Sequence, residues 1–325
     1  MASFTVKKYD SSQQSLWDTF VTQAKNATFL LNRNFMEYHS DRFVDYSLLV
    51  YKNEKLVAVL PANRVGDTLH SHQGLTYGGL VLAKNTRLEK TVAITQAVLK
   101  YLHTDGITHL DIKLLPAFYH KQQSDELHYL AFLLDAVLVG RESWAVAQPQ
   151  QSPKLSSSRK EGVKRGQKNG LVVKEEENLA TFWNDILIPN LFAKHDAEPL
   201  HSLAEITLLK DRFPKNIRQF NVYHNDTIVG GTTIFETETC AHCQYISGNA
   251  DKNTLGSLDF LHNVLLNDIF KHKPYFDFGT SNEAKGKKIK KGLSFWKEGF
   301  GTHIVTQDFY RIATANYKKL DSVFV

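Results

Sequence analysis

The sequence predicts a mixed α+β protein that is divided into two domains. Its 325 residues, of which 42% are hydrophobic, exceed the usual size of one hydrophobic core and are enough to fill two. Strand and helix patterns alternate in both halves, and a polar, proline-containing stretch at residues 148–158 has the composition of a linker. We therefore predict a first domain over residues 1–150 and a second over residues 151–325.

The first half combines helices with short strands. Apolar residues recur at helical spacing over residues 12–24 and 86–102, and Val92, Val98 and Leu102 share one face of the second helix. Apolar runs of strand type occupy residues 46–51, 55–65 and 107–114. The first two of these strands are predicted to form a hairpin.

The second half shows the same sequence of elements in a longer form. A strand is followed by helices, three strands, a helix and a final strand. The predicted strands are residues 171–174, 216–224, 227–236, 240–248 and 275–278, and the predicted helices are residues 179–193, 202–212 and 257–271. A strand-rich run over residues 302–312 ends the pattern.

Positive charge is concentrated in two short segments, although the net formal charge is only +5. Residues 154–168 contain six basic side chains and one acid, and residues 285–291 contain five lysines and no acid. Clustered positive potential attracts phosphates or polyanions more strongly than a uniformly basic surface does. A solvated helix face is the alternative for either cluster alone.

The first basic cluster is predicted to lie on a helix that is capped by Ser157 or Ser158. Lys160, Lys164 and Lys168 fall on one stripe of this helix, where like charges repel one another. A phosphate-rich partner would relieve that repulsion.

Two glycines, Gly162 and Gly166, interrupt the same helix. Each costs a helix about 1 kcal/mol relative to alanine. Either close packing on that face or ligand contact on the opposite face must therefore compensate.

The second basic cluster follows a predicted buried strand that ends at Gly279. From Glu283 onwards we predict a lysine-rich helix with Ile289, Leu293 and Trp296 as its apolar seam. Lysines at this density beside an apolar seam indicate an anionic partner.

Two cysteines, Cys240 and Cys243, lie in the segment CAHC, whose spacing resembles half of a zinc site. A second ligand pair at matching spacing is absent from the sequence. Strand alternation also places Cys240 and His242 on one face and Cys243 on the other. We predict two reduced thiols and no metal site.

The sequence shows no targeting or membrane-spanning signal. It lacks a run of about 18 apolar residues, and the N-terminal MASFTVKKYD lacks the apolar core of a signal peptide. These observations predict a cytoplasmic protein.

Four local motifs cover most of residues 155–312. They are SSRKEGVKRGQKNGLVVKE, YISGN before a long helix, FDFG, and GLSFWKEGFG. In these motifs, and more weakly in YGGL and FLLNRNFMEYH of the first half, the chain resembles the FemABX peptidyltransferases, a branch of the GNAT N-acyltransferase superfamily. The resemblance implies two tandem GNAT-like domains that face a common cleft, with residues 313–325 returning to the first domain.

The resemblance also implies an activity. FemABX proteins transfer an aminoacyl group from aminoacyl-tRNA to an amine of a peptidoglycan precursor, and related GNAT proteins use acyl-CoA. We therefore expect aminoacyl or acyl transfer to an amine of a cell-wall or polysaccharide precursor, with aminoacyl-tRNA or acyl-CoA as donor substrate and no required cofactor. Two alternatives stay open: an acyl-CoA-dependent GNAT acetyltransferase acting on an amino sugar, and a non-catalytic polyanion-binding module.

Three residues are the candidates for catalysis. Lys297 matches the lysine of the family's Phe-Lys-x-x-Phe-Gly pattern, although Trp296 here separates it from Phe295, and the resemblance implies an electrostatic role for it. Tyr245 is predicted to orient the carbonyl or donate a proton to the leaving group, and a buried tyrosine that is hydrogen-bonded to the backbone is the alternative. Asp277 is predicted to accept the proton of the amine or to hold the amine in place, and capping of a turn or pairing with a lysine is the alternative.

Further candidates are predicted to bind substrate or the phosphates of the donor. The substrate-binding candidates are Tyr38, His39, His72, Tyr77, Ser281, Asn282 and Trp296. The phosphate-binding candidates are Lys160, Lys164, Arg165, Lys288 and Lys291. A structural role is the alternative for each of the two histidines.

Overall fold

A computed structural model describes residues 4–325, apart from the side chains of residues 194 and 195. Helices and strands are mixed along the chain, and they form two compact units. Unit 1 consists of the described residues up to Glu142 together with Ala284–Lys287 and Thr306–Val325. Unit 2 consists of Ser143–Glu283 and Lys288–Val305.

The unit boundary lies a few residues before the one predicted at residue 150. The polar stretch 148–158 belongs to unit 2, where the side chain of Gln150 donates a hydrogen bond to the carbonyl of His272 at 2.8 Å. Residues 306–325 cluster with unit 1, so the returning segment is longer than the predicted 313–325.

Unit 1 is built from short strands and four α-helices. Its strands are β1 (Phe4–Lys8), β2 (Leu48–Lys52), β3 (Lys55–Leu60), β4 (Asn63–Val65), β5 (Thr68–His70), β6 (Val81–Leu82) and β7 (His109–Lys113). Its helices are α1 (Gln14–Gln23), α2 (Arg33–Met36), α3 (Leu88–Thr104) and α4 (Glu126–Leu133). β1, β2, β3 and β6 form an antiparallel sheet, and β4, β5 and β7 are neighbours in a second sheet.

The core of unit 1 lies against α3. Val92, Val98 and Leu102 on its predicted apolar face are all buried, as is Leu320 of the C-terminal 3₁₀-helix Thr314–Ser322 that packs on α3. The predicted hairpin is confirmed, since β2 and β3 pair in antiparallel fashion. No helix within residues 4–325 has both the length and the apolar composition that a bilayer span requires.

Unit 2 follows the predicted order of elements. Its helices are α5 (Ser157–Lys168), α6 (Ala180–Phe182), α7 (Ile188–His195), α8 (Leu203–Arg212), α9 (Lys252–Leu255), α10 (Ser257–Val264) and α11 (Lys291–Glu298). Its strands are β9 (Val172–Glu176), β10 (Ile217–His224), β11 (Thr227–Glu236), β12 (Cys240–Gly248), β13 (Tyr275–Thr280), β14 (Asn282–Glu283) and β15 (Lys288–Ile289). Two further strands, β8 (Val137–Ala147) and β16 (His303–Ala313), pass from one unit into the other.

The sheet of unit 2 is antiparallel except at one place. The strand order is β8-β13-β12-β11-β10-β9, and β12 and β13 are the parallel pair. α10 is the crossover helix between these two strands, as a parallel connection requires. The predicted order of strand, helices, antiparallel strands, helix and strand is therefore confirmed.

The lysine-rich segment after β13 differs from the prediction of a helix that starts at Glu283. β14 and β15 pair as a short hairpin, and α11 begins only at Lys291. The backbone of Ala284, Lys285 and Gly286 adopts positive φ angles of 50°, 55° and 91°. A right-handed helix cannot continue through such residues, so the basic cluster lies largely on a hairpin.

The predicted apolar seam of that segment is also wrong in part. Ile289 and Leu293 are exposed to solvent, whereas Trp296 packs against Phe278 and Phe300. Ile289 lies on the hairpin rather than on a helix, so helical spacing does not bring it to the face of Trp296.

The basic helix α5 was predicted correctly except for its first residues. Ser156, rather than Ser157 or Ser158, is the N-cap, and its hydroxyl accepts from the backbone N–H of Arg159. The surroundings of the two glycines show that close packing, rather than ligand contact, compensates for their cost to the helix. A β-carbon on Gly162 would lie 1.8 Å from Oδ2 of Asp259, and one on Gly166 would lie 2.5 Å from Cβ of Phe260. α5 therefore needs both glycines to approach α10.

Substituting Gly162 by alanine is expected to lower the free energy of unfolding by about 1–3 kcal/mol, as other overpacked sites do. The Asp259 carboxylate cannot retreat easily, because Arg159 and Trp296 both donate hydrogen bonds to it. The control is Gly292→Ala in α11, where no atom lies within 4 Å of the new methyl group. Denaturant unfolding should show that control at or above wild-type stability. Equal stability of the two variants would contradict the packing argument.

Candidate active site

The two parallel strands of unit 2 pair over only three residues. Cys240 faces Tyr275, and His242 faces Asp277 at the end of the paired region, although both strands continue. A β-bulge at Gln244 follows in β12. Bulges and unpaired strand segments commonly lie beside functional sites, because they leave backbone groups and space for a ligand.

His242 and Asp277 form a hydrogen-bonded pair at this point. Nδ1 of His242 lies 2.8 Å from Oδ2 of the fully buried Asp277, whose Oδ1 accepts from the backbone N–H of Gly279 at 2.7 Å. A carboxylate only accepts hydrogen bonds, so in the neutral imidazole the proton lies on Nδ1 and the lone pair lies on Nε2. The ring also packs near Trp144, with centroids 5.6 Å apart. His242 is thereby oriented as a base.

Lys297 brings a buried positive charge to the same region. Its side chain is 4% exposed, and its Nζ donates to the carbonyls of Gly279 at 3.0 Å and Thr280 at 2.7 Å. Burial lowers the pKa of Lys297 to about 8, and the nearby Asp277 carboxylate opposes that lowering. The lysine is therefore largely protonated at neutral pH. Two of its three N–H groups are used by these carbonyls, which leaves a third for a substrate.

Gly279 connects the base and the cation. Its φ angle is +74°, which glycine adopts without strain. A β-carbon here would lie 3.4 Å from Cε1 of His242 and 4.0 Å from Nζ of Lys297. The imidazole and the ammonium group are thus both close to one backbone position.

A cavity of about 600 Å³ lies in unit 2, lined by residues of α5, α7, β12, α9, α10 and α11. Three cations, Arg159, Arg165 and Lys252, line it together with Asp259 and Trp296. Asp259 is neutralised by Arg159 at 2.5 Å and also accepts from Nε1 of Trp296 at 2.8 Å. The remaining positive charge suits a phosphate-bearing ligand. Trp296 precedes Lys297 in α11, so the cavity wall and the buried lysine belong to one turn of helix.

The structure brings two of the three catalytic candidates, Lys297 and Asp277, to one place. Tyr245 lies on the same face of the sheet as His242, because the bulge shifts its register. Its hydroxyl group accepts from the backbone N–H of His201 at 3.1 Å and lies 2.6 Å from Nδ1 of that histidine. A catalytic role for Tyr245 stays a prediction.

Ser281 and Asn282, two of the substrate-binding candidates, hold the hairpin. The carbonyl of Ser281 accepts from the backbone N–H of Lys290 at 2.9 Å. Oδ1 of Asn282 accepts from the backbone N–H and the hydroxyl group of Ser143 at 2.7 and 2.8 Å. Trp296 lies in the cavity wall, so it is the member of this group best placed to touch a ligand.

The substrate-binding candidates of unit 1 lie mostly in its interior. His39 is stacked between Tyr38 and His72, with centroid distances of 4.1 and 5.1 Å, and burial lowers the pKa of His72 to about 3. The Tyr77 hydroxyl group is hydrogen-bonded to that of Thr28 at 2.8 Å. These contacts account for the residues structurally, and their contact with substrate stays a prediction.

The phosphate-binding candidates separate into two groups. Arg165 lines the cavity, whereas the other four lie exposed on α5 or near the hairpin. The latter are Lys160, Lys164, Lys288 and Lys291.

Sequence reasoning missed three residues of the site: His242, Arg159 and Lys252. Arg159 belongs to the basic cluster that the sequence does reveal. The pairing of His242 with Asp277 depends on the register of two strands separated by a helix, which one sequence does not show.

No protein-family model and no curated protein matches this sequence. Solved structures do match. FemX is 12% identical over 97% of this chain and 99% of its own, with a TM-score of 0.66. A conserved protein of unknown function from Bacteroides thetaiotaomicron is 10% identical over 96% and 100%, with a TM-score of 0.61. L-PGS from Bacillus licheniformis is 11% identical over 93% and 91%, with a TM-score of 0.59. The chain therefore has a FemX-like fold, which confirms the predicted mixed α+β class and the predicted resemblance at the level of fold.

Proposed function

We propose that this protein is an N-acyltransferase that transfers an aminoacyl or acyl group to an amine of a cell-wall or polysaccharide precursor. The observation that carries the proposal is the His242–Asp277 pair beside Lys297, where β12 and β13 stop pairing. Acyl transfer to nitrogen needs a base for the amine and positive charge for the developing oxyanion. The FemX-like fold supports the same class of reaction.

In the proposed step, the amine nitrogen attacks the carbonyl carbon of the donor. A C–N bond forms, the carbonyl electron pair moves to oxygen, and Nε2 of His242 takes the proton from the nitrogen. The free N–H of Lys297 donates to the oxyanion. When the tetrahedral intermediate collapses, the bond to the leaving oxygen or sulfur breaks, and His242 returns the proton to that atom.

Asp277 acts through His242 in this scheme. Its carboxylate is fully buried and is already engaged by His242 and Gly279, so we assign it to orienting the imidazole rather than to contact with the amine. A fixed carboxylate also stabilises the imidazolium that forms during the transfer.

The cavity supplies the binding site of the donor in this proposal. Arg165 and Lys252 provide positive charge for phosphate groups, and Trp296 provides an aromatic wall. Acyl-CoA and aminoacyl-tRNA both carry phosphates and an adenine ring. The shared chemistry is therefore a phosphate-bearing acyl donor, and a transfer assay with each donor distinguishes the two.

The test is a transfer assay that follows acylation of UDP-linked amino sugars and peptidoglycan precursors with acetyl-CoA or aminoacyl-tRNA as donor. One donor should support transfer, and the double change Arg165→Gln with Lys252→Gln should raise its KM at least tenfold, since charge-assisted hydrogen bonds to phosphate are strong. Lys168→Gln, on the same helix as Arg165 but outside the cavity lining, should change KM less than about twofold.

Two results would count against the proposal. A donor KM that is unchanged in the variant with Arg165→Gln and Lys252→Gln would show that the cavity does not bind the donor. Binding of tRNA without transfer from either donor would favour the non-catalytic polyanion-binding module.

A further inference from the structure

One short segment of unit 2, Lys288–Phe295, presents large apolar side chains to solvent. Ile289 is 62% exposed, Leu293 39% and Phe295 65%. Single exposed apolar residues are common on protein surfaces, but these three fall within seven consecutive positions, and Leu293 and Phe295 border the same cavity. We refer to residues 288–295 as the apolar–basic segment.

Lysines accompany these apolar residues. Lys288, Lys290 and Lys291 are all exposed, and no acidic residue occurs between positions 288 and 297. Lys290 forms an ion pair with Glu283 at 3.0 Å, but both side chains are about half exposed, so water screens that pair. The segment therefore keeps a positive charge around its apolar side chains.

We propose that the apolar–basic segment docks unit 2 on an anionic lipid bilayer. Aliphatic and aromatic side chains enter the boundary between headgroups and acyl chains, and lysines next to them bind anionic headgroups. The segment offers both kinds of contact within eight residues. This docking is independent of the proposed transferase activity and is measured as binding.

A bilayer fits the segment better than RNA does. RNA would bind the lysines and could stack on Phe295, but it would leave the aliphatic side chains of Ile289 and Leu293 in water. A bilayer removes all three apolar side chains from water. Leu293 and Phe295 also line the cavity, so a docked bilayer would lie beside its entrance.

The test is co-sedimentation of the full-length protein with two kinds of vesicle at the same moderate salt concentration. One kind contains phosphatidylcholine alone, and the other contains phosphatidylcholine with about 30% phosphatidylglycerol, an anionic lipid. We expect binding to the anionic vesicles only. Because each lysine near an anionic surface strengthens binding about fivefold, replacing the three lysines by glutamine should weaken binding about 100-fold. Replacing the three apolar residues by serine should weaken it at least tenfold.

Matched controls separate this surface from general charge and hydrophobicity. They are Lys55→Gln with Lys84→Gln and Lys100→Gln, and Val44→Ser with Phe132→Ser and Leu200→Ser, all at exposed positions. Both controls should bind as the wild type does, and circular dichroism checks that each variant folds. The single change Ile289→Ser is the fallback if the triple variant unfolds.

Three results would overturn the proposal: no binding to anionic vesicles, equal binding by the segment variants and their controls, or tRNA binding that depends on the three lysines without any vesicle binding. The last of these would assign the surface to RNA.

Discussion

Replacing His242 by glutamine is expected to lower kcat/KM for acyl transfer by about 10²–10⁴-fold, the usual contribution of a positioned general base. Glutamine keeps a polar side chain of similar reach, but it cannot take up the proton of the amine at neutral pH. Initial rates at limiting acceptor concentration measure this loss directly. The Asp277 contact makes the histidine the natural base, because it fixes the tautomer with the lone pair on Nε2.

The control for this prediction is His224→Gln at the end of β10, a partly exposed histidine in the same unit. It should keep kcat/KM within about twofold of the wild type, since surface changes away from a site rarely matter. Asp277→Asn should also lose activity, because an amide at this position disturbs the orientation and tautomer of the imidazole. A kcat/KM of His242→Gln close to that of the wild type would show that this histidine is not the general base.

Replacing Lys297 by methionine should lower kcat by about 10²–10³-fold, as loss of one oxyanion donor does elsewhere. Methionine has nearly the same length and suits a buried site, so the change removes the charge with little change in volume. The matched control is Lys210→Met, another buried lysine of unit 2, whose Nζ donates to the carbonyl of Ile217 at 3.3 Å. Equal losses in the two variants would indicate a general effect of removing a buried lysine.

The pKa of Lys297 adds a pH dependence to the same prediction. Burial lowers that pKa to about 8, so the cation is present below pH 8 and is lost as the pH rises through that value. Wild-type kcat should therefore fall on the alkaline side with an apparent pKa near 8. In Lys297→Met the residual kcat should not show this fall at alkaline pH. If kcat of the variant falls with the same apparent pKa as that of the wild type, another group is responsible for the pH dependence.

The sequence predicted much of unit 2 because its elements are long and strongly patterned. The order of strands and helices and the FDFG segment that carries Asp277 and Gly279 were recognised, as was Lys297 near the end of the basic region. The two glycines of α5 left close packing and ligand contact as alternatives, and the positions of Asp259 and Phe260 show that close packing applies.

Other features could not be read from one sequence. Lysines at positions 285–291 have the spacing of a helix, but three consecutive residues with positive φ produce a hairpin instead. Of these three residues, only Gly286 is of a type that commonly adopts positive φ. The sequence shows His242 only as a neighbour of two cysteines, because its hydrogen-bond partner Asp277 lies 35 positions away. A bulge that shifts register at Gln244 likewise leaves no mark in the hydrophobic pattern.

The most direct test of a single catalytic site is a double-mutant comparison in the transfer assay. Wild type, His242→Gln, Lys297→Met and the double variant are measured with the active donor under single-turnover conditions. If the two side chains serve one step, the double variant should lose much less than the product of the two single losses. Transfer at the wild-type rate in the double variant would contradict the assignment of acyl transfer to His242 and Lys297.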